Sequence, residues 1–255
     1  MTTATGDRSY RITRPAASAP APLVLLIHGF AGSGEDFSEH TKLPERGAAQ
    51  GYVVVAPDGT GALKTWQFSG AGTDAAFVEG LIAEVGQSTC IDLDRITATG
   101  MSAGAAFTIA YSCAHQDQIH AIATVAVDFQ LGCTKPMSIL AFHGTVDPLV
   151  PYEDGAIGKS LPGVKVRGTD LNMGDWARLG SCAPAPAIDV VGTEVTRSTW
   201  SGCAPGTEVV LYAIQGGGHT WPGSDPARSI GLTTQQVDAT GEILTFFSRD
   251  HLAPG

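Results

Sequence analysis

Positive charge is scarce in this chain, which has 15 lysines and arginines against 25 aspartates and glutamates. A formal net charge of -10 at pH 7 opposes binding to the polyanionic backbone of nucleic acids or to anionic membrane surfaces. Long hydrophobic runs are also missing, and no stretch approaches the roughly 20 apolar residues of a membrane-spanning helix. We therefore expect a soluble protein that binds neither nucleic acid nor membrane.

The first 20 residues lack the apolar segment of a secretory signal peptide. Either the protein is cytosolic or its leader has been removed, and the cysteine usage favours the second alternative. Asparagine occurs once, at Asn172, so the chain has no N-glycosylation sequon. We expect a secreted protein.

Cysteine is limited to five residues, with no Cys-x-x-Cys or Cys/His spacing typical of zinc sites. Cys182 and Cys203 bracket a Pro/Ala-rich loop and a predicted hairpin, which favours a disulfide between them. Cys113 and Cys133 are both expected near one edge of the sheet and form the second predicted pair, although Cys90 competes for either partner. An odd number leaves one thiol unpaired. The alternative is five buried cytosolic cysteines.

One short segment combines a nucleophile with the glycines of a sharp turn. Residues 100–104 are Gly-Met-Ser-Ala-Gly, between a β-branched run and an apolar stretch compatible with a helix. A tight strand-to-helix turn strains the backbone of its central residue, and glycines prevent clashes where strand and helix nearly touch. The segment predicts a nucleophile elbow at Ser102. The alternative is a glycine-rich helix start capped by that serine.

An acid and a histidine follow the serine in the chain. Asp147 lies in a loop after the buried-strand pattern at 138–143, and His219 follows a second strand pattern at 208–214 and three glycines. Since a serine hydroxyl is a weak nucleophile at neutral pH, His219 would accept its proton while Asp147 orients the imidazole. The alternatives are a turn-forming aspartate before proline and a solvated loop histidine.

An ester-cleaving serine also needs backbone N–H donors for the developing oxyanion. We expect one donor at Ala103, directly after the serine, and another at Phe30 or its neighbour Ala31. Phe30 lies in a glycine-rich loop that follows the apolar strand pattern at 22–27. His28 is expected to fix that loop by a hydrogen bond rather than to transfer protons.

Five motifs between about residue 8 and the last helix occur together in one known family. They are His28-Gly29-x-x-Gly32-Ser33-Gly34, Ala56-Pro57-Asp58-Gly59 with Trp66 beyond it, Gly100-Met101-Ser102-Ala103-Gly104, His143-Gly144-Thr145-x-Asp147-x-x-Val150-Pro151-Tyr152 and Gly217-Gly218-His219-Thr220-Trp221-Pro222. The chain resembles carbohydrate esterase family 1, the secreted feruloyl esterase and polyhydroxybutyrate depolymerase-like esterases of the α/β-hydrolase fold. The resemblance implies catalytic roles for Ser102, Asp147 and His219. Many relatives carry Cys in place of Phe30 and Asn in place of Gln67, which puts substrate preference in doubt.

The coarse pattern predicts one α/β domain over residues 1–255, without a cap domain and with flexible ends at about 1–7 and 250–255. Near-continuous apolar strands are typical of a mostly parallel sheet covered by helices on both faces. Strands are predicted at 9–13, 23–28, 53–56, 96–99, 122–127, 139–143 and 209–214, and helices at 73–87, 102–113 and 234–247. The alternating segment 188–200 predicts a small accessory hairpin.

A short connection predicts an open site. Only about ten residues, 128–137, join the strands at 122–127 and 139–143, so no lid fits there. Trp66, Trp221 and Phe30 are candidates to line the resulting groove as aromatic platforms. The alternative for the two tryptophans is packing under loops.

We expect a serine carboxylic-ester hydrolase that needs no cofactor or metal. Its first expected substrate is a feruloyl or related ester of plant polysaccharide, so the ester is expected to be polymer-attached, and the protein is expected to be a monomer. One alternative is a depolymerase of polyhydroxyalkanoate or synthetic aromatic polyester, and another is an acyltransferase. A non-catalytic binding protein on the same fold would be expected to have lost part of the triad, and this chain retains all three residue types.

Overall fold

The computed structural model describes residues 2–3, 6–16, 19–157 and 164–249. The strands are β1 (Thr2–Thr3), β2 (Gly6–Asp7), β3 (Tyr10–Thr13), β4 (Ala21–Ile27), β5 (Val53–Pro57), β6 (Ile91–Met101), β7 (Ile119–Val125), β8 (Ser138–Gly144), β9 (Gly155–Ala156), β10 (Lys165–Val166), β11 (Ala187–Val191), β12 (Val195–Trp200) and β13 (Val209–Ile214). The helices are α1 (Gly34–Thr41), α2 (Leu43–Ala49), α3 (Thr73–Ser88), α4 (Ala103–Ala114), α5 (Thr169–Leu179) and α6 (Ala239–Phe247), and a 3-10 turn covers Pro226–Arg228.

A nine-stranded sheet in the order β11-β12-β13-β8-β7-β6-β4-β5-β3 organises the chain. Its six central strands, from β13 to β5, pair in parallel. The edge strand β3 and the hairpin β11–β12 are antiparallel to their neighbours. Because parallel strands share one direction, their carboxyl ends lie along a single edge, where loops bring distant residues together.

Both faces of this sheet are buried. Along β4, Leu23 and Leu25 belong to one apolar cluster, whereas Val24 and Leu26 belong to the other, as the two-residue period of a strand requires. Helices α3, α4 and α5 cover the first face, and α1, α2 and α6 cover the second. Burial on both sides explains why these strands are continuously apolar in the sequence.

The predicted fold class and the seven predicted strands are confirmed, with bounds that match at β13 and differ elsewhere by at most five residues. The segment 188–200 does form a hairpin, but β12 pairs with β13, so the hairpin extends the main sheet rather than forming an accessory unit. Helices α1 and α2 were not predicted from the sequence.

The prediction of a last helix beginning at residue 234 is wrong, since α6 begins at Ala239. The Gln236 side chain accepts hydrogen bonds from the backbone N–H groups of Thr193 and Glu194. The Thr234 hydroxyl donates to the Glu194 carboxylate. These contacts hold the segment against the β11–β12 turn in a non-helical conformation.

The connection between β7 and β8 contains no helix or strand and spans residues 126–137, so it carries no cap. Of the ends expected to be flexible, residues 1, 4–5 and 250–255 lie outside the described residues, while β1 and β2 pair with each other. No helix in the described ranges is long and apolar enough to cross a membrane.

Two disulfides join the cysteines as predicted, Cys113 with Cys133 and Cys182 with Cys203. Cys90 is the unpaired and exposed cysteine. The first disulfide ties the end of α4 to the β7–β8 connection, and the second ties the segment after α5 to the segment after β12. Both lie in the peripheral connections rather than in the sheet.

Replacing Cys182 and Cys203 together by serine is expected to lower the free energy of unfolding by on the order of 3 kcal/mol, because the disulfide restricts the unfolded chain. Chemical denaturation of the oxidised protein measures this change. Cys90→Ser is the matched control and should leave the free energy of unfolding within about 0.5 kcal/mol. Alkylation of Cys182 or Cys203 before reduction would contradict the assignment.

Candidate active site

The turn between β6 and α4 places Ser102 in a strained conformation. Its backbone has φ 57° and ψ -124°, a region that a residue with a side chain rarely occupies. The Ser102 N–H donates to the Val125 carbonyl at 2.9 Å, which anchors the turn to the end of β7. This is the geometry of the predicted elbow.

Two glycines make this turn sterically feasible. A Cβ at position 100 would lie 2.7 Å from the Gly104 carbonyl carbon, and a Cβ at position 104 would overlap the carbonyl oxygens of Ile27 and His28. The first turn of α4 therefore packs directly against the end of β4. That contact joins the elbow to the loop in which the sequence places an oxyanion donor.

The predicted acid, Asp147, lies three residues beyond β8 and is buried. Its Oδ1 accepts hydrogen bonds from the backbone N–H groups of Leu149 at 2.8 Å and Val150 at 2.9 Å. Its Oδ2 lies 2.7 Å from His219 Nδ1. Burial opposes ionisation, but the bonds from His219 and the backbone outweigh it and lower the pKa of Asp147. The carboxylate is therefore ionised at neutral pH.

The predicted base, His219, is buried in the loop after β13. Because its Nδ1 faces a carboxylate, Nδ1 is assigned the proton and Nε2 is left as the proton acceptor. The His219 N–H donates to the Ile230 carbonyl at 2.8 Å. A Cβ at Gly218 would overlap that carbonyl oxygen, so the glycine run allows this close approach.

The sheet topology brings the three predicted residues to the same edge. The elbow follows β6, the acid follows β8, and the histidine follows β13, all at carboxyl ends of parallel strands. Backbone bonds connect the loops in sequence, from Ala126 N–H to Phe142 O at 2.8 Å and from Val146 N–H to Gly217 O at 3.0 Å. The arrangement can support acyl transfer through a serine nucleophile.

The loop after β4 contacts the elbow. A Cβ on Gly29 would lie 3.5 Å from the Cβ of Ser102. Phe30 is the next residue in the chain, so its backbone N–H lies close to the elbow. Ala103 is the first residue of α4, and N–H groups in the first helical turn have no intrahelical acceptor. Phe30 and Ala103 therefore remain the candidates for oxyanion donors, and the Phe30 side chain is 59% exposed beside the elbow.

His28 fixes this loop, as the sequence led us to expect. Its Nδ1 lies 2.6 Å from the Gly29 carbonyl, and its Nε2 accepts from the Gly59 N–H at 2.9 Å. Burial lowers the pKa of His28, and the Gly29 bond compensates only in part. The ring is therefore neutral, with both nitrogens committed to backbone partners.

The prediction that Trp66 and Trp221 line an open groove is wrong, since they are only 3% and 1% exposed. Trp66 stacks on Phe107 and donates its indole N–H to the His28 carbonyl at 2.9 Å. Trp221 lies edge-on to Phe37 and donates to the Thr240 hydroxyl at 3.0 Å. Both indoles pack beneath loops rather than in a groove, and burial is tolerated because each indole N–H has a hydrogen-bond partner inside the protein.

Sequence reasoning gave no role to a second buried histidine beside the acid. His143 lies at the end of β8, with Nδ1 2.6 Å from Asp128 Oδ2 and Nε2 3.8 Å from Asp147 Oδ2. The available signal was the motif that contains His143, four residues before the acid. Asp128 carried no signal, since it follows β7 in a segment without a motif.

No family model matches this chain. Feruloyl esterase B of Piromyces equi is 28% identical over 214 residues, which cover 78% of this chain and 39% of that protein. Feruloyl esterase D of Neurospora crassa is 27% identical over 224 residues, which cover 82% of this chain and 72% of that protein. The chain thus spans about two fifths of the first relative and most of the second.

The solved structure of the acetyl xylan esterase from Aspergillus awamori is similar in fold. It aligns with a TM-score of 0.67 at 15% sequence identity, covering 95% of this chain and 94% of that one. The novel thermophilic esterase Est2 from Thermogutta terrifontis aligns with a TM-score of 0.62 at 14% identity, over 97% and 90% of the two chains. At such low sequence identity, these similarities show a shared arrangement of helices and strands.

Gly104→Ala is expected to destabilise the protein by about 2 kcal/mol or more, because the added methyl group would overlap the backbone at the end of β4. Gly174→Ala is the matched control, since Gly174 also lies in a helix and a Cβ there meets nothing within 4 Å. The control should gain about 0.5–1 kcal/mol from helix propensity. Chemical denaturation measures the free energy of unfolding of both variants. Equal changes in the two would contradict the close packing at the elbow.

Proposed function

We propose that this carboxylic ester hydrolase of the α/β-hydrolase fold uses Ser102, His219 and Asp147 to hydrolyse feruloyl or related esters of plant polysaccharide. The observation that carries the triad is the 2.7 Å bond between His219 and Asp147 at the sheet edge that also bears the strained Ser102. The feruloyl esterases among its relatives support the substrate class.

In the acylation step, His219 Nε2 accepts the hydroxyl proton as Ser102 Oγ attacks the ester carbonyl carbon. The carbonyl becomes a tetrahedral oxyanion, which the N–H groups of Phe30 and Ala103 stabilise. Collapse of this intermediate breaks the bond to the alcohol oxygen. The imidazolium returns its proton to that oxygen, so the alcohol leaves neutral and the acyl group stays on Ser102.

Deacylation repeats the sequence with water. His219 accepts a proton from the water molecule that attacks the acyl carbon, and a second oxyanion forms in the same place. Its collapse breaks the bond to Ser102 Oγ, which recovers a proton from the imidazolium. Throughout the cycle Asp147 stays ionised and stabilises the imidazolium without taking its proton.

An open site suits an ester attached to a polymer. The β7–β8 connection carries no cap, and Phe30 is exposed next to the elbow. An exposed phenyl ring can stack on an aromatic acyl group, while the alcohol side remains open to a chain of sugars. Phe30 is therefore the proposed acyl-binding residue, and Trp66 and Trp221 are not.

A polyester is the second candidate substrate, because exposed apolar side chains adjoin the triad. We define the apolar rim as Phe30, Val146, Ile230 and Leu232, which are 59%, 62%, 51% and 47% exposed. Val146 precedes Asp147, and the Ile230 and Leu232 carbonyls accept bonds from His219 and Gly218. Apolar surface of this kind marks contact sites, and a polyester chain would bury more of it than a polysaccharide.

We also propose that the protein acts outside the cytosol. Two disulfides, Cys113 with Cys133 and Cys182 with Cys203, support this location, since such bonds persist in oxidising compartments. Secretion is consistent with polymeric substrates, which cells do not take up intact.

Ser102→Ala is expected to lower kcat by at least about a thousandfold without unfolding the protein, because only binding and oxyanion stabilisation would remain. Hydrolysis of a p-nitrophenyl ester and circular dichroism measure the two effects. The matched control is Ser224→Ala, since the hydroxyl of Ser224 is buried and bonds only the Trp221 carbonyl. An organophosphonate should label Ser102 alone, and labelling at another serine would overturn the triad.

Phe30→Ala is expected to raise KM for methyl ferulate by about three- to tenfold, the range of a lost aromatic stacking contact. KM for a short acetyl ester should change less than twofold. Ile188→Ala is the matched control, because Ile188 is similarly exposed on β11 at the far edge of the sheet. Equal losses on both esters would remove Phe30 from the acyl site. Faster hydrolysis of polyhydroxybutyrate film than of feruloylated xylan would favour the polyester.

A further inference from the structure

His143 lies directly behind the proposed catalytic acid and is 2% exposed. Its Nδ1 is 2.6 Å from Asp128 Oδ2, and its Nε2 is 3.0 Å from the Val150 carbonyl oxygen. Val150 also donates its N–H to Asp147, so the same residue links the histidine to the acid. The proposed mechanism uses neither His143 nor Asp128.

Both ring nitrogens of His143 face hydrogen-bond acceptors. The Val150 carbonyl has no proton to donate, so Nε2 must carry one. The Asp128 carboxylate already receives the Asn172 amide on Oδ1 at 2.7 Å and the Thr169 hydroxyl on Oδ2 at 3.0 Å. Because donors already occupy both Asp128 oxygens, the proton of the 2.6 Å contact is assigned to Nδ1. His143 is therefore an imidazolium.

The electrostatic balance agrees with this protonation state. Burial opposes the charged form of His143, but the hydrogen bond that Nδ1 donates to Asp128 and the negative charge of that carboxylate outweigh it and raise the pKa of His143. Asp147 adds to the effect, since its Oδ2 is 3.8 Å from His143 Nε2. That same Oδ2 accepts the bond from His219 Nδ1 at 2.7 Å. One carboxylate oxygen thus lies between two imidazoles.

We propose that His143, held as an imidazolium by Asp128, is a positioning residue that orients the Asp147 carboxylate and weakens the pull of that carboxylate on the proton of His219. The inference rests on the proposed triad. A fixed positive charge behind the acid partly offsets its negative charge at His219. This charge therefore reduces the electrostatic stabilisation that Asp147 gives to an imidazolium at His219.

The charged and titratable groups around His143 come from three elements. Asp128 follows β7, and Asp147 follows β8. Tyr152 lies edge-on to the His143 ring, and its hydroxyl donates to Asp170 in α5 at 2.8 Å. Burial and the bond to Asp170 raise the pKa of Tyr152, so it remains a neutral phenol. Within the described residues, His143 and His219 are the two cationic partners of Asp147, at 3.8 Å and 2.7 Å from its Oδ2.

A purely structural role is the competing explanation. Thr169, Asn172 and Trp176 lie on one face of α5, and all three donate to Asp128, with Trp176 reaching its backbone carbonyl at 2.7 Å. Asp128 therefore anchors α5 to the end of β7 whatever His143 does. A structural role would change stability, whereas the proposed role also changes the pH at which the enzyme becomes active.

The test compares the pH dependence of kcat/KM in wild type, His143→Gln and His143→Asn. Each variant loses the charge, but glutamine can retain the bond to Val150 and asparagine the bond to Asp128. Without the cation the imidazolium of His219 is more stable, so the midpoint of the rising limb should move upward by about one pH unit. The loss in kcat/KM should accordingly be larger at pH 6 than at pH 9.

Trp176→Phe is the matched control, because it removes the buried indole bond to the Asp128 backbone carbonyl at 2.7 Å and leaves the hydrogen bonds of the His143 ring and of the Asp128 carboxylate in place. It should lower stability without moving the midpoint. Nitrogen-15 NMR of the wild-type protein provides a second measurement that needs no variant. The His143 ring, assigned through its contact with Thr169, should keep both nitrogens protonated at pH 8.

An unchanged or lowered midpoint in the folded His143 variants would overturn the inference, as would a singly protonated His143 at pH 7. Failure of the triad itself is a separate result, because it would appear as an active Ser102→Ala variant. An equal upward shift in Trp176→Phe would assign the effect to packing and also overturn the role of charge.

Discussion

The hydrogen bond between Asp147 and His219 is the interaction that the rest of the site depends on. It joins two loops separated by 72 residues in sequence, at a distance of 2.7 Å. The carboxylate is held by the Leu149 and Val150 backbone, and the histidine loop is held by the Ile230 carbonyl. A buried carboxylate would otherwise favour its neutral form, so these donors maintain the charge on which a serine nucleophile depends.

The same bond explains why glycine is concentrated at this edge. A Cβ on Gly144 would overlap the backbone of Gly217, and one on Gly218 would overlap the carbonyl of Ile230. The loop that carries Asp147 and the loop that carries His219 therefore approach each other more closely than side chains at these glycines would allow. The elbow follows the same rule, since Gly104 lies against the end of β4. Backbone proximity at these points sets the positions of the reactive groups, and the two buried faces of the sheet keep them rigid.

The sequence was sufficient for the fold class and for the strand-to-helix turn at Ser102, because both depend on local patterns, whereas it left Cys90 as a competitor in the disulfide pairing, which the structure resolves. The positions of the central strands were recoverable since their buried parts are apolar on both faces, but β6 begins five residues before the predicted start, in a polar and partly exposed segment. Helices α1 and α2 were not recoverable, because they have only eight and seven residues, and α1 is mostly polar. The burial of Trp66 and Trp221 could not be predicted either. It depends on partners such as Phe107 and Thr240, which are distant in the chain, and amphipathic indoles suit both a groove and a core.

This division between buried and exposed aromatic residues bears on how specificity arises in the site. Trp66 bonds the His28 carbonyl, and His28 in turn holds the Gly59 backbone, so a change at either would disturb the loop that carries Phe30, the proposed oxyanion donor. The apolar rim differs from these supporting residues, because its side chains are largely exposed and its hydrogen bonds to the loop of His219 are made by backbone atoms. Substitution in the rim therefore alters what the substrate touches and leaves the supporting bonds intact. Preference between an aromatic ester on a polysaccharide and a polyester chain can change there without loss of the catalytic geometry.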